Sequence, residues 1–297
     1  MVPAPWGAVR GLLPEELRAS GVTGLVVGSV ELALRPGLAT VEALGGLGAL
    51  TDGLAVIGEP GIGALLGEGG LPPARIGRAG ETIAYRNGLD GAEGELTPES
   101  SLAAQQRLGV AIAIAPTLPE HLTVNERPRA IPVTLAETWL RRGAAVRSAA
   151  RVLALIPAGS PRFQRRLLEV AAESGFDGVA VATLVPRKGW PAGWIWLALT
   201  VSTVDDVRTA VALGYDYVVP SFALTLARRG EALAGTSAVA VAGFPAETGP
   251  LDLACDCPAC RFPLGYLAHL VRANEMLGET LLLLHNLRVL TRIADAA

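Results

Sequence analysis

The chain has 297 residues, of which 51% are apolar and 18% charged. That is too long for a disulfide-stapled mini-protein and too hydrophobic for a disordered chain. A formal charge of −3 argues against wrapping nucleic acid by bulk electrostatics, although a local basic patch remains compatible with it.

Lys188 is the only lysine, so nearly all positive charge is arginine, a bias that a GC-rich genome also produces. No apolar run reaches the roughly 18 residues of a membrane span; the densest are Trp194–Val201 and Leu281–Leu284. Met1–Leu17 lacks the basic start and long apolar stretch of a signal peptide. The expectation is a soluble cytoplasmic protein with no membrane contact.

Short apolar, β-branched runs predict strands at Gly24–Val27, Leu54–Ile57, Val110–Ala115, Val152–Ile156, Gly178–Thr183, Ile195–Val201 and Tyr215–Val219, with a weaker one in Met1–Trp6. Near-continuous apolar strands are typical of parallel sheets covered on both faces. Between them, amphipathic periodicity predicts helices at Pro14–Ser20, Pro98–Leu108, Leu135–Ala150, Arg162–Ser174 and Val204–Leu213, and one long helix over Gly265–Leu284. Thr97-Pro98-Glu99 and Ser202-Thr203-Val204-Asp205-Asp206 carry N-terminal signals, and Gly175 and Gly214 stand where a helix should stop.

Seven strands and a weak eighth, alternating with helices, predict a (β/α)8 TIM barrel; an open doubly wound sheet is the runner-up. The extra material is a Gly-rich insertion (Gly58–Gly80), a turn-rich piece around Arg86–Gly94, and a C-terminal appendage. The expected organisation is a barrel over residues 1–231 and a zinc-binding subdomain over residues 232–297, with a long C-terminal helix packed on the barrel.

All three cysteines fall within six residues, at Cys255, Cys257 and Cys260. An odd count inside so short a span argues against a disulfide framework and for a metal. Three thiolates need one more ligand to close a tetrahedral zinc site, and the chain has only His121, His269 and His285 to offer. His285 is preferred because it ends a helix long enough to fold back over the cysteine loop; His269 is the alternative. Four protein ligands leave no position for water, so the ion expected is one structural Zn²⁺ per chain.

Around this cluster the chain resembles a known family. Cys255-x-Cys257-x-x-Cys260, Tyr266-Leu267-Ala268-His269-Leu270, Ala273-Asn274-Glu275-x-Leu277-Gly278 and Leu284-His285-Asn286-Leu287 look like the zinc subdomain of the tRNA-guanine transglycosylases, the queuine and archaeosine tRNA-ribosyltransferases. Leu13-Pro14-Glu15-Glu16-Leu17, Leu34-Arg35-Pro36-Gly37, Gly45-Gly46-Leu47, Leu96-Thr97-Pro98-Glu99-Ser100, Gly175-Phe176-Asp177-Gly178 and Gly214-Tyr215-Asp216 match further family segments in order. The resemblance covers essentially the whole chain. It implies a (β/α)8 barrel with a zinc module, and it makes His285 the fourth ligand.

The resemblance also implies an activity: exchange of a guanine in tRNA for a 7-deazaguanine. One Asp after the last barrel strand attacks the ribose anomeric carbon, and a second, after an early strand, is the general acid/base. Here Gly214-Tyr215-Asp216-Tyr217-Val218 continues into Val219, so the nucleophile position is apolar, with unbroken spacing to Arg228-Arg229-Gly230. The early motif aligns with Ile57-Gly58-Glu59-Pro60-Gly61-Ile62-Gly63, which puts Gly58 at the acid/base position. The base-recognising Asp falls at Thr117, the Gln of the next strand at Pro157, and the Gly-Gly after the sixth strand at Ala182-Thr183.

Glu59, Glu120 and His121 are the substitutes the sequence offers, although strand alternation points Glu59 away from the direction of residue 58. Asp216 and Asp90 fit better as turn or surface residues. For RNA, Arg228 and Arg261 persist at family contact positions while Thr225 replaces another arginine; Arg187 and Lys188 add charge to the sixth loop. Family members work as dimers in which one protomer catalyses and the other supports the tRNA. The expectation is therefore a non-catalytic, zinc-containing relative that forms a homodimer or pairs with a catalytic paralogue and binds tRNA. The alternative is an enzyme with a rebuilt pocket acting on a 7-deazapurine or another N-glycoside.

Overall fold

The computed structural model describes residues 1–63, 65, 75–77, 80–87, 91–124, 127–146 and 150–296. Eight strands build its main sheet: β1 Val2–Pro3, β2 Gly24–Gly28, β3 Ala55–Glu59, β4 Ile112–Ala115, β5 Arg151–Ile156, β6 Gly178–Val181, β7 Ile195–Val201 and β8 Tyr217–Pro220. They lie in chain order across the sheet, with parallel registers from β3 through β7. The two ends meet, because the Met1 ammonium donates to the Val218 carbonyl at 3.2 Å. This is the nearly closed barrel that the strand count predicts, and the open-sheet alternative is set aside.

The crossovers follow from local chemistry. They are α1 (Pro14–Ala19), α2 (Ser29–Leu34), α3 (Pro98–Arg107), α4 (Val133–Ala145), α5 (Pro161–Glu173) and α6 (Val204–Ala212). Thr97 and Thr203 cap α3 and α6, each accepting from the backbone N–H three residues on at 3.1 Å while that residue's side chain returns a bond to the cap. After α5 and α6 the chain turns through Gly175 (φ 75°) and Gly214 (φ 77°), where a side chain would be strained.

Several boundaries differ from the sequence reading. The helix expected over Leu135–Ala150 is Val133–Ala145, and residues 147–149 lie outside the described residues. The last barrel strand starts later than expected, at Tyr217. In the Gly58–Gly80 insertion, residues 64, 66–74, 78 and 79 lie outside the described residues, as does Asp90. The piece around Arg86–Gly94 is a hairpin of Ile83–Arg86 and Glu93–Leu96.

The largest correction concerns the C-terminus. The helix expected as one rod over Gly265–Leu284 is two: α8 Leu264–Arg272 and α9 Met276–Ala296, after α7 Phe222–Arg228 and a hairpin of β9 Glu231–Ala234 with β10 Ser237–Ala240. The break is at Asn274, whose φ of 55° is left-handed and tolerable for asparagine. His285 therefore sits mid-helix in α9.

The chain forms two compact units, one of residues 1–3, 8–24 and 200–297, the other of residues 4–7 and 25–199. The first holds the cysteine loop and both C-terminal helices. In the second, Gln105 of α3 is wholly buried and completes the sheet. The β3–β4 register ends at Gly58 and Ala113. One residue further, the Ile114 N–H donates to Gln105 Oε1 at 2.8 Å and Gln105 Nε2 donates to the Ile114 carbonyl at 2.9 Å.

Replacing Gln105 by Leu should orphan both backbone groups and cost about 2 to 4 kcal/mol. Chemical denaturation of the variant against the natural protein checks this.

Candidate metal centre and the strand ends

The cysteine loop folds on its own backbone. Cys255 N–H donates to the Asp252 carbonyl at 3.3 Å, and a 3₁₀ turn over Pro258–Arg261 returns the Cys260 N–H to the Cys257 carbonyl at 3.1 Å. Pro258, at the first position of that turn, gives up no needed donor. Both sulfurs of the Cys-x-x-Cys pair then face one side.

α9 closes the site. The ligand atoms of Cys255, Cys257, Cys260 and His285 lie within 4.8 Å of one another. His285 Nδ1 is 3.5 Å from Cys257 Sγ and 3.3 Å from Cys260 Sγ. Its Nε2–H donates to the Leu233 carbonyl at 2.8 Å, which leaves the Nδ1 lone pair for an ion. The next residue, Asn286, accepts the Leu233 N–H at 2.8 Å through Oδ1, and its Nδ2 donates to the carbonyls of Ala223 and Glu231. On the rim of the same helix, Arg288 holds Asp256 in a bidentate pair at 2.6 and 2.8 Å, and Arg292 reaches Asp252 at 3.2 Å.

The donor set fits zinc. Tetrahedral Zn–S and Zn–N bonds of about 2.3 and 2.0 Å would separate sulfur from nitrogen by about 3.5 Å, which the two S···N distances match. The thiols also need a cation. A hydrogen bond from Cys260, then one with His285, holds Cys257 down to about 4, while giving that bond and burial push Cys260 far up. Burial raises Cys255 as well. A divalent ion at this point would favour the thiolate form of all three. His269 is not part of the group: it is exposed and stacks on Tyr266 at 6.5 Å, so the choice between histidines falls to His285.

The strand ends hold the other positions. A Cβ on Gly58 would stand 2.6 Å from Gln105 Oε1 and 2.9 Å from its Cγ, so residue 58 faces α3 and a carboxylate there would have to displace the Gln105 side chain. Glu59 faces the opposite way, as strand alternation requires, and its Oε2 accepts the Gly61 N–H at 3.0 Å. Thr117 is wholly buried, its hydroxyl without a partner among the described residues. Pro157 accepts from Gln164 at 3.2 Å.

Glu120 accepts the Ser160 N–H at 2.6 Å and the Ser160 hydroxyl at 2.8 Å, fastening the start of α5. Those two bonds hold its carboxyl below the usual range. Its carboxylate is thus spoken for structurally. His121 is exposed at the start of the strand His121–Val124. In the other unit, Val219 is 2% exposed and Asp216 lies exposed before β8. Arg228 has its Nε 3.7 Å from Glu279, and Arg261 is exposed beside Cys260.

The sequence reading missed two groups. Glu31, just past β2, is mostly buried with Oε2 unpartnered among the described residues, and burial raises its pKa. A lone acid in the apolar run Ser29–Leu34 was the available signal. The Leu233 carbonyl behind His285 had none, since any residue offers a carbonyl.

A barrel of parallel strands and a Cys3His cluster able to hold a metal ion define the class, a (β/α)8 protein with a candidate zinc site. A family model described as "TGT: Queuine tRNA-ribosyltransferase" matches residues 1–297. Among curated relatives, the queuine tRNA-ribosyltransferase of Thermus thermophilus is 32% identical over 98% of this chain and 80% of its own length. That of Deinococcus radiodurans is 33% identical over 97% of this chain and 78% of its own. The chain belongs to the queuine tRNA-ribosyltransferase family, whose name describes action on tRNA.

Elemental analysis of purified protein should find one zinc per chain. A strong chelator should lower the thermal midpoint, and His285→Ala should abolish stoichiometric metal.

Proposed function

We propose that this chain is a non-catalytic family member, a zinc-braced cytoplasmic subunit that holds tRNA in 7-deazaguanine modification. The observation that carries the reading is Val219. The spacing from Gly214 to Gly230 is unbroken, and the residue where the family resemblance puts the nucleophile is a buried aliphatic at the end of β8. General acid–base help alone contributes about 10²–10⁴ in rate, and a covalent route has no counterpart without a nucleophile.

Two further features support a subunit role. Phe262, Tyr266 and His269 form an exposed row of rings beside the metal site, Phe262 tilted against Tyr266 at 5.4 Å and Tyr266 stacked on His269 at 6.5 Å, which suits burial against a second protomer. Arg228 and Arg261 are solvent-accessible cations able to meet phosphate. In this reading residues 232–297 act as the zinc-binding subdomain and Cys255, Cys257, Cys260 and His285 as its ligands.

One observation favours the alternative of a rebuilt pocket. Glu59 ends β3 and Glu31 lies in the first turn of α2, just past the neighbouring β2, and Glu31 has a buried oxygen with no partner among the described residues. An N-glycoside substrate with ring N–H donors would suit such groups.

Incubation with labelled guanine and bulk tRNA should give no incorporation, and no covalent RNA–protein species should appear on a denaturing gel. Incorporation would make the chain a working transferase of the kind its relatives' names describe, and its loss in Glu59→Gln would assign the work to the rebuilt pocket. Mixed with a catalytic family member, the chain should sediment as a dimer. Phe262→Asp combined with Tyr266→Asp should return it to the monomer.

A further inference from the structure

The sixth crossover of the barrel carries no helix: residues 182–194 pass from β6 to β7 as turns and extended chain. The loop packs aromatic rings where a helix would lie. Trp190 runs parallel to Trp194, 2° between planes and 6.2 Å between centroids, and Trp194 tilts against Trp196 at 5.9 Å. The Arg187 guanidinium lies 5.9 Å from the Trp196 ring. Trp194 and Trp196 are buried, whereas Trp190 is only half-buried.

Between this loop and α5 opens a groove of about 720 Å³, all within one compact unit. Leu168, Leu184, Pro186 and Trp190 give its apolar wall, and Arg165 and Lys188 its charge. Glu169 also borders it, with its carboxylate 3.4 Å from Arg166. Arg165 and Lys188 are exposed and enter no ion pair among the described residues. The groove is therefore net positive beside an indole supported from behind by a second indole.

That pairing is the chemistry of single-stranded nucleic acid recognition. A base stacks on a supported ring, because every base has a π-face, and cations at the edge take the phosphates. An acidic peptide would use the cations and leave the flat indole idle.

We propose that this groove binds single-stranded RNA, with Trp190 stacking a base and Arg165 and Lys188 holding the flanking phosphates. The inference rests on the tRNA-binding reading above and assigns it a second contact surface.

Fluorescence anisotropy with a labelled tRNA transcript and a labelled single-stranded RNA 12-mer, across a salt series, tests it on the full chain. Trp190→Ala should weaken both by about 5- to 100-fold, and Trp190→Phe should restore most of the loss. Lys188→Ala should weaken binding and flatten the log–log salt slope by about 0.7. Circular dichroism of each variant separates lost contact from lost fold. If the natural protein binds both RNAs while Trp190→Ala and Lys188→Ala keep its affinity and slope, the groove is overturned and the tRNA reading stands. If only Arg228→Ala or Arg261→Ala weakens binding, the contact lies elsewhere and the groove is again overturned. If the natural protein binds neither RNA at low salt, the tRNA reading itself falls.

Discussion

The C-terminal unit is organised by two consecutive side chains on one helix. His285 and Asn286 take the carbonyl and the N–H of the same residue, Leu233, so one turn of α9 satisfies both backbone polar groups of one buried residue. A buried polar group left unpaired costs about 1 to 3 kcal/mol, and here two backbone groups and two side chains would be orphaned together. α9 can therefore take one rotation and one height against the β9–β10 hairpin. That rotation is what turns Nδ1 toward the sulfurs. The outer pairs of Arg288 with Asp256 and Arg292 with Asp252 are solvent-exposed and contribute less, steadying the loop rather than defining it.

The other unit repeats the device. Gln105 supplies from a helix the two bonds that β3 stops short of giving Ile114. Its side chain occupies the space beside residue 58, so a larger residue there would displace the Gln105 amide. In both units a buried amide or imidazole substitutes for a strand neighbour. The bonds that shape the barrel persist here with an aliphatic Val219 at a strand end, since none of them uses a reactive group.

Legibility differed by range. The metal ligands were readable because Cys-x-Cys-x-x-Cys confines three sulfurs to one short loop, whatever the fold around it. Caps such as Thr97 and Thr203 were readable because each acts within four residues. Helix continuity across Asn274 was not: an amphipathic pattern runs through Leu270 and Leu277 on both sides of the break, and one left-handed asparagine redirects the chain without changing that pattern. The empty sixth crossover was visible only as a Trp- and Pro-rich stretch with no helical period. Glu120 looked like a barrel-mouth acid by position, yet its oxygens serve Ser160, forty residues away in the chain.

By itself, the sequence determined the alternation of strands and helices, the cysteine loop, the choice of metal chemistry and the aliphatic at position 219, because hydrophobic period, capping and ligand spacing are all local. Tertiary structure brought the preferred His285 to the sulfurs, and it alone decided that residue 58 faces α3 and that Trp190 borders a charged groove. Those outcomes depend on the directions of side chains carried by elements far apart in the chain, and direction is set by packing rather than by spacing.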